Sequence, residues 1–497
     1  MSDVARLDPR LPVLVGVGQL NQRVDRGEPE LEPTALMAEA LRIAAADAGE
    51  PRLLEQADSV GVVHVLSWRY ADPGRLVGEA IGNPGIHTVH TPVGGNVPQA
   101  LVNKAGRDIR DGRADIVLVT GAEAWRSRTS HRSGGGRPDW SVEPQGAAPD
   151  EELGEEVVLN HQNEMGRGIM MPVQFYPLFE NAWRAANGWT IPEHLDRLAR
   201  LWAGFSEVAA GNPNAWIRRA YSPAELSSGA DGNRMIGFPY RKLFNSNNAV
   251  EQGAALILCS VEKARALGVP ADRWIFPHAG TDAHDTYFVS NRPSLCASPA
   301  IRIAGRRAFE LAGVGPDDLA HVDVYSCFPS AVQIAVAELG LDDTRPLTVT
   351  GGLSFAGGPW NNYVSHSIAT MVDRLRETDG GVGLCTANGG YLTKHAFGIY
   401  GSQPPAQPFQ WDEPQAEVDA AGTRELCESF DGPVTVEGYT VMHGRDDQPE
   451  VGLAAVLLAD GRRAWGSTHD KAVLRDMEVE EFVGRDATLT ADGALGF

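Results

Sequence analysis

The 497-residue sequence predicts an α/β protein built of two related halves with a helical insertion between them, followed by a small antiparallel β-barrel. Three observations carry this reading. Strand-like and helix-like segments alternate over roughly the first 400 residues, an order of segments in the first half recurs in the second, and the chain turns β-like after a proline-rich stretch.

The elements follow in order. "LPVLVGVGQL" is an apolar run of the buried-strand type, and "TALMAEALRIAAADAG" spaces its apolar residues as a helix does, ending in Gly49 at a C′ position. "SVGVVHVLSW" is a second strand. "PQALVNKAGRDIRDGRADIVLVTGAEA" then gives a helix, a polar turn and an apolar strand that ends in small residues. The second half repeats both units. "PAIRIAGRRAFELAGVGPDDLAHVDVYSCF" runs from an amphipathic helix ending at Ala312-Gly313 through an acidic turn into a strand, and "NYVSHSIATMVDRLRETDGGVGLCTANGG" repeats the helix, turn and strand.

Residues 126–230 fit neither copy. "RSRTSHRSGGGRPDWSVEPQGAAPDEELGEE" is Gly/Pro-rich and charged, the composition of a mobile loop, and "IPEHLDRLARLWAGFSEVAAGNP" puts Leu195, Leu198, Leu201, Trp202 and Phe205 on one helical face. A helical insertion covering one end of the sheet is expected. Four prolines in the 22 residues after Tyr400 predict an extended linker. "GPVTVEGYTVMH", "EVGLAAVLLADGRRAWGST" and "ATLTADG" then read as strands, with Asp460-Gly461 as a two-residue hairpin turn. The expected boundaries are 10–125 with 231–265 for the first half, 126–230 for the insertion, 266–402 for the second half, 403–422 for the linker and 423–497 for the barrel.

A net charge of -22 and the lack of any Lys/Arg-dense segment argue against nucleic acid as a partner, because a duplex repels such a surface. The N-terminus lacks the basic-then-apolar pattern of a signal peptide, and no run of about 18 apolar residues is present to span a bilayer. A cytoplasmic location is expected. The five cysteines (Cys259, Cys296, Cys327, Cys385, Cys427) contain no C-x-x-C pair, so neither a zinc site nor a disulfide framework is expected. His87 and His90 lie three apart in a strand and face opposite sides, which disfavours a shared metal. Gly16-x-Gly18 lacks the third glycine and the acidic partner of a dinucleotide site.

"HTPVGGNVPQAL" lies between a strand end and a helix start, where enzymes often present a nucleophile, yet it holds no Cys, Ser or acid. The surrounding segment "GGNVPQALVNKAGRDIRDGRADIVLVTGAEA" resembles the thiolase segment in which a catalytic Cys opens a helix. "FPYRKLFNSNNAVEQGAALILCS" resembles the segment closing the first thiolase half, and "HVDVYSCFPSAV" resembles the His-Asp-Cys-Phe segment of thiolases linked to sterol carrier proteins. The resemblance spans residues 10 to about 400. With the appended β-domain it is nearest to the thiolase-like protein type 1 group, whose members are commonly labelled acetyl-CoA acetyltransferases.

The resemblance implies a thiolase fold with pseudo-twofold halves and an acyl-CoA thioester as ligand, coenzyme A entering only as part of that substrate. It also implies roles, residue by residue. Gly94 stands where the family has its nucleophilic Cys, and Gly358 where "SFAGGPWNNYVSH" would carry the activating His. Tyr325 stands for the Asn or His that holds a water at one oxyanion hole, and Cys385 for the acid/base Cys of the last element, with Ala387 replacing its Gly. With nucleophile and base both absent, ordinary thiolysis is rejected.

What survives is a backbone cradle. Gly94, Gly95, Asn96, Gly358, Asn361, Tyr363 and Gly389 are the expected substrate-binding residues, with main-chain donors at Gly94 and Gly389 facing the thioester carbonyl. Tyr325, Cys385 and His395 are the candidate catalytic groups; a Tyr pKa near 10 makes Tyr325 a donor rather than a base. Lys394 accompanies His395. His366 is a further replacement for the missing base, and Arg126, Arg128, Arg132 and Arg137 of the insertion are placed to meet CoA phosphates or to be solvated. Two functional readings follow: acyl-CoA chemistry without a covalent intermediate, or an inactive acyl-CoA-binding or scaffold protein that docks a partner through its β-domain. Convergence of Tyr325, Cys385 and His395 on one pocket separates them.

Overall fold

The computed structural model describes residues 6–497. Its first sheet comprises β1 (Pro12–Asn21), β2 (Ser59–Val62), β3 (His87–His90), β4 (Ile116–Ala124), β5 (Glu151–Glu152) and, after the short β6 (Met235–Gly237) and β7 (Tyr240–Arg241), β8 (Glu251–Ser260). The strand order is β1-β8-β4-β2-β3-β5. The second sheet comprises β9 (Phe276–His284), β10 (His321–Asp323), β11 (Val382–Gly389), β12 (Lys394–Gly401) and β13 (Gln410–Asp412), in the order β10-β11-β12-β9-β13.

The repeat seen in the sequence is a repeat of topology. β1/β8 and β8/β4 are antiparallel and β4/β2 parallel; β9/β12 and β12/β11 are antiparallel and β11/β10 parallel. Helices Val97–Arg110 and Tyr363–Arg376, one from each half, lie side by side between the two sheets and are buried along most of their length. Their polar residues are therefore paired internally. Asn103 donates to Asp282 (2.9 Å) and the Tyr400 hydroxyl to Gln99 (2.8 Å).

Helix Pro33–Asp47 covers the outer face of the first sheet, and Pro299–Ala312 that of the second. Gly16 and Gly18 explain the first contact: a β-carbon at either would collide with the carbonyl of Ala44 or Ala40 on that helix. The Gly-x-Gly motif is thus a packing device.

The insertion is more ordered than its composition suggests. Helix Trp125–Ser133 forms within the stretch expected to be a loop, and helix Ile191–Gly211 buries Leu198, Trp202 and Phe205 while Leu195 and Leu201 are only half-buried. A helix absent from the sequence reading, Pro172–Ala186, buries Glu180, which accepts from Gln333 (2.8 Å), Tyr240 and His194. The linker is not simply extended either. β13 joins the second sheet parallel to β9, held by Trp411, whose indole donates to Asp282 (2.7 Å) under the Arg107 guanidinium.

The C-terminal region forms an antiparallel sheet of β14 (Gly432–His443), β15 (Pro449–Leu457), β16 (Arg463–Thr468), β17 (Asp486–Leu489) and β18 (Leu495–Gly496), in the order β16-β15-β14-β17-β18, with β6, from the stretch just after residues 126–230, added beside β14. A bridge between Ser467 and Ala494 brings its two ends together. Buried Arg463 anchors it: the guanidinium pairs with Glu437 (2.6 Å) and donates to the carbonyls of Val289, Ser290 and Arg292. Among the described residues no helix is long and apolar enough to cross a membrane.

Candidate functional site

The turn after β3 and the end of β11 meet at the centre of the molecule. Asn96 precedes helix Val97–Arg110 without a side-chain capping bond; its Oδ1 lies 2.5 Å from where a β-carbon on Gly389 would be, with the Gly95 nitrogen 3.1 Å from the same point. Gly94, Gly95, Asn96 and Gly389 are therefore one cluster, as expected. Each glycine is there because its neighbours leave no room: a β-carbon at Gly95 would strike the Asn388 carbonyl and the Tyr325 hydroxyl, and one at Gly94 would strike Asn96 Oδ1 and lie 3.0 Å from Lys394 Nζ.

Lys394 is the residue whose place the sequence did not reveal. It leads β12 into the cluster, its amine donates to the Val93 carbonyl, and burial holds its pKa below the usual ammonium value. The space over Gly94 is thus filled by an ammonium and an amide oxygen. The Gly94 N–H is also engaged, donating to Asn361 Oδ1 at 3.0 Å, while Asn361 Nδ2 donates to the His64 carbonyl at 2.9 Å. Gly94 does not offer a free main-chain donor, and Asn361 is the clamp that occupies it.

The three candidate catalytic groups do not converge. Tyr325 and His395 line a single buried cavity of about 10 Å³ together with Thr386 and Asn388, a space of the size of one water. Burial raises the Tyr325 phenol well above its ordinary pKa and lowers the His395 imidazole to about 3. His395 Nε2 and Asn388 Oδ1 have no hydrogen-bond partner within the protein, and Asp285 lies 3.8 Å from the imidazole. Cys385 lies elsewhere. It is fully buried, accepts from the Ser367 hydroxyl at 3.5 Å, and desolvation beside Asp323 pushes its thiol far above the reactive range.

Two further expectations are corrected. Tyr363 does not face a ligand: it is wholly buried, and its hydroxyl donates to Asp323 (3.0 Å) and pairs with Thr350 (2.6 Å) in a network that also ties down the Val349 amide. His366 is no substitute base, since burial lowers its pKa to about 3 and it faces Gln19 at 2.9 Å. Gly358 stands apart from Gly94. Its neighbours are Asn248 Oδ1 (3.1 Å from an added β-carbon) and Ser246 (3.3 Å), and both line a cleft of about 530 Å³ formed by the insertion and residues 231–249, with Ser354 from the second half. Val173, Ile217 and Tyr221 give that cleft apolar walls; Arg219 pairs with Glu225, which also lines it, and Lys242 and Asp231 add one charge of each sign.

Two halves that share a four-strand order, β1-β8-β4-β2 and β9-β12-β11-β10, around paired central helices define the thiolase fold. At 19% identity and a TM-score of 0.59 the chain matches the Ltp2-ChsH2(DUF35) aldolase over 80% of its own length and 98% of that chain. Residues 281–345 match the thiolase C-terminal domain-like family, and 413–494 match the thiolase-like protein type 1 additional C-terminal domain. A monomeric SCP2-thiolase like protein type 1 from Mycobacterium smegmatis is 32% identical, covering 99% of this chain and 100% of that one with a TM-score of 0.84. The chain belongs to the SCP2-thiolase-like protein type 1 family. It is also 25% identical to an acetyl-CoA acetyltransferase of Methanocaldococcus jannaschii over 32% of its own length, spanning 43% of that relative.

Proposed function

We propose that this protein binds a coenzyme A thioester without becoming acylated and without catalysing thiolysis. The observation that carries the reading is the Gly94 turn, where Asn96 Oδ1 and Lys394 fill the place of a nucleophile's side chain and Asn361 engages the amide that would polarise a carbonyl. The Gly94 amide is therefore not free to receive a carbonyl. Tyr325 and His395 share a space too small for an acyl carbon, and Cys385 is remote and protonated, so non-covalent carbon-carbon chemistry finds no acid/base pair either.

The cleft beside Gly358 is the proposed ligand site. Its volume suits a pantetheine-sized ligand, its apolar walls suit the acyl chain, and Lys242 at its rim suits phosphate. Kinship with an acetyl-CoA acetyltransferase supports the choice of ligand. No cofactor beyond the ligand's own CoA is required. Calorimetry with acetyl-CoA is expected to give saturable binding that Lys242→Ala weakens, and intact-mass measurement is expected to show an unchanged protein. A stable acyl adduct, or release of free CoA, would overturn the proposal.

A further inference from the structure

A second cleft, of about 600 Å³, opens on the other side of the Gly94 turn between the segment after β2 and helix Trp125–Ser133. None of its lining residues is acidic, although the chain carries 65 Asp and Glu against 43 Lys and Arg. Arg69, Arg128, Arg132 and Arg137 face it instead, with His64 and His90 stacked at 5.1 Å on its floor. Such a segregation of charge is what a -22 protein needs if it is to hold an anion at all.

Of these arginines only Arg128 acts on a nearby acid, opposing the rise that burial imposes on the Glu123 carboxyl. Arg126, their neighbour, pairs with Asp25 at 3.2 Å, but among the described residues none of the four has a carboxylate at salt-bridge distance. Glu156, which accepts from the Val93 amide at 2.7 Å, acts on His64 and His90, and the other nearby carboxylates hold partners of their own. Glu123 accepts from the amides of Leu66 (2.8 Å) and Ser67 (2.7 Å), Glu32 from Tyr70 (3.0 Å), and Glu30 meets His131 (3.0 Å). Arg128 and Arg132 sit one turn apart on the same helix face, a like-charge spacing that weakens a helix. Arg128 is steered by the Leu66 carbonyl (3.1 Å) and the Trp125 ring (4.8 Å), and Arg137 lies over Trp68 at 4.5 Å. Two guanidiniums are thus positioned by the walls, and two, Arg69 and Arg132, are exposed and unengaged.

We infer that this cleft is a second binding site, separate from the one beside Gly358, for a small phosphorylated anion carrying at least two charges. Guanidinium forks match phosphate oxygens two at a time, and a cleft of this volume accepts an oligophosphate or a nucleotide's phosphates. Its floor is two hydrogen bonds from the Gly94 turn, through the His64 carbonyl and Asn361.

The test is calorimetry with inorganic pyrophosphate at low ionic strength, repeated with ADP. Saturable binding that weakens with added salt is expected, falling about tenfold for each of Arg69→Ala and Arg132→Ala and unchanged in Lys242→Ala. Tighter ADP binding would assign the anion to a nucleotide, and equal binding to a free oligophosphate. An unaltered thermal midpoint in both arginine variants shows that the fold is intact. Absence of saturable pyrophosphate binding, or binding that survives the double variant, would overturn the inference. Acetyl-CoA binding that depends on Lys242 would leave the proposed function standing in either case, whereas its dependence on Arg69 and Arg132 alone would move the thioester out of the Gly358 cleft.

Discussion

At the scale of residues, the glycines of the central cluster differ in how much space surrounds them. Gly95 faces a main-chain carbonyl and a buried phenol, neither of which can swing away, whereas Gly358 faces side-chain atoms at 3.1 and 3.3 Å. Gly95→Ala is therefore expected to cost about 1–3 kcal/mol in urea unfolding, and Gly358→Ala clearly less. An equal cost at both positions would mean that the turn relaxes. The glycines themselves were legible as a family resemblance, but Lys394 was not, because a lysine at a strand start ordinarily points to water and only the close approach of β11, β12 and the Gly94 turn draws it inward. Cys385 was misplaced for a related reason. Alternation along a strand tells that its side chain leaves one face of the sheet, not that this face is packed on Ser367 and helix Tyr363–Arg376.

At the scale of elements, β5 has the largest effect for its size. Two residues, Glu151 and Glu152, pair with Val89 and His90 and so cover the edge of the first sheet, helped by Leu153, whose amide donates to the His90 carbonyl at 2.8 Å. An uncovered parallel edge is a template for a second chain. Replacing residues 149–154 by a Gly/Ser segment is expected to raise the association state above that of the unaltered protein in a concentration-dependent way, read by size-exclusion chromatography with light scattering. A variant that keeps the unaltered protein's state would show that β5 does not guard the edge. No periodicity announces a two-residue strand, which is why the sequence reads this stretch as loop, while the long periodic elements of both halves were legible because each repeats its partner's order. β13 escaped for the same reason, hidden among prolines and pinned by Trp411 rather than by pattern.

At the scale of the whole molecule, the C-terminal sheet is not an ornament on the thiolase body. Arg463 reaches into it, satisfying three carbonyls of the segment between the second half's first strand and helix, and Trp465 donates to Ser290 at 2.8 Å. Arg463→Ala would strand Glu437 and those carbonyls in a buried interface, and a loss of about 3–5 kcal/mol is expected. Thermal unfolding followed by near-ultraviolet dichroism and by calorimetry should remain a single transition; two separated transitions would show that the sheet is an independent unit.

The pairing of β1 with β8 has a consequence for how the chain is made. Pro12 lies opposite Ser260, so the first sheet cannot close until the ribosome has added some 250 residues, and β6 in between must wait longer still, because it finds its neighbour β14 only near the end of translation. For most of its synthesis the nascent polypeptide holds an unfinished sheet with apolar surface uncovered, a state open to aggregation until β8 arrives.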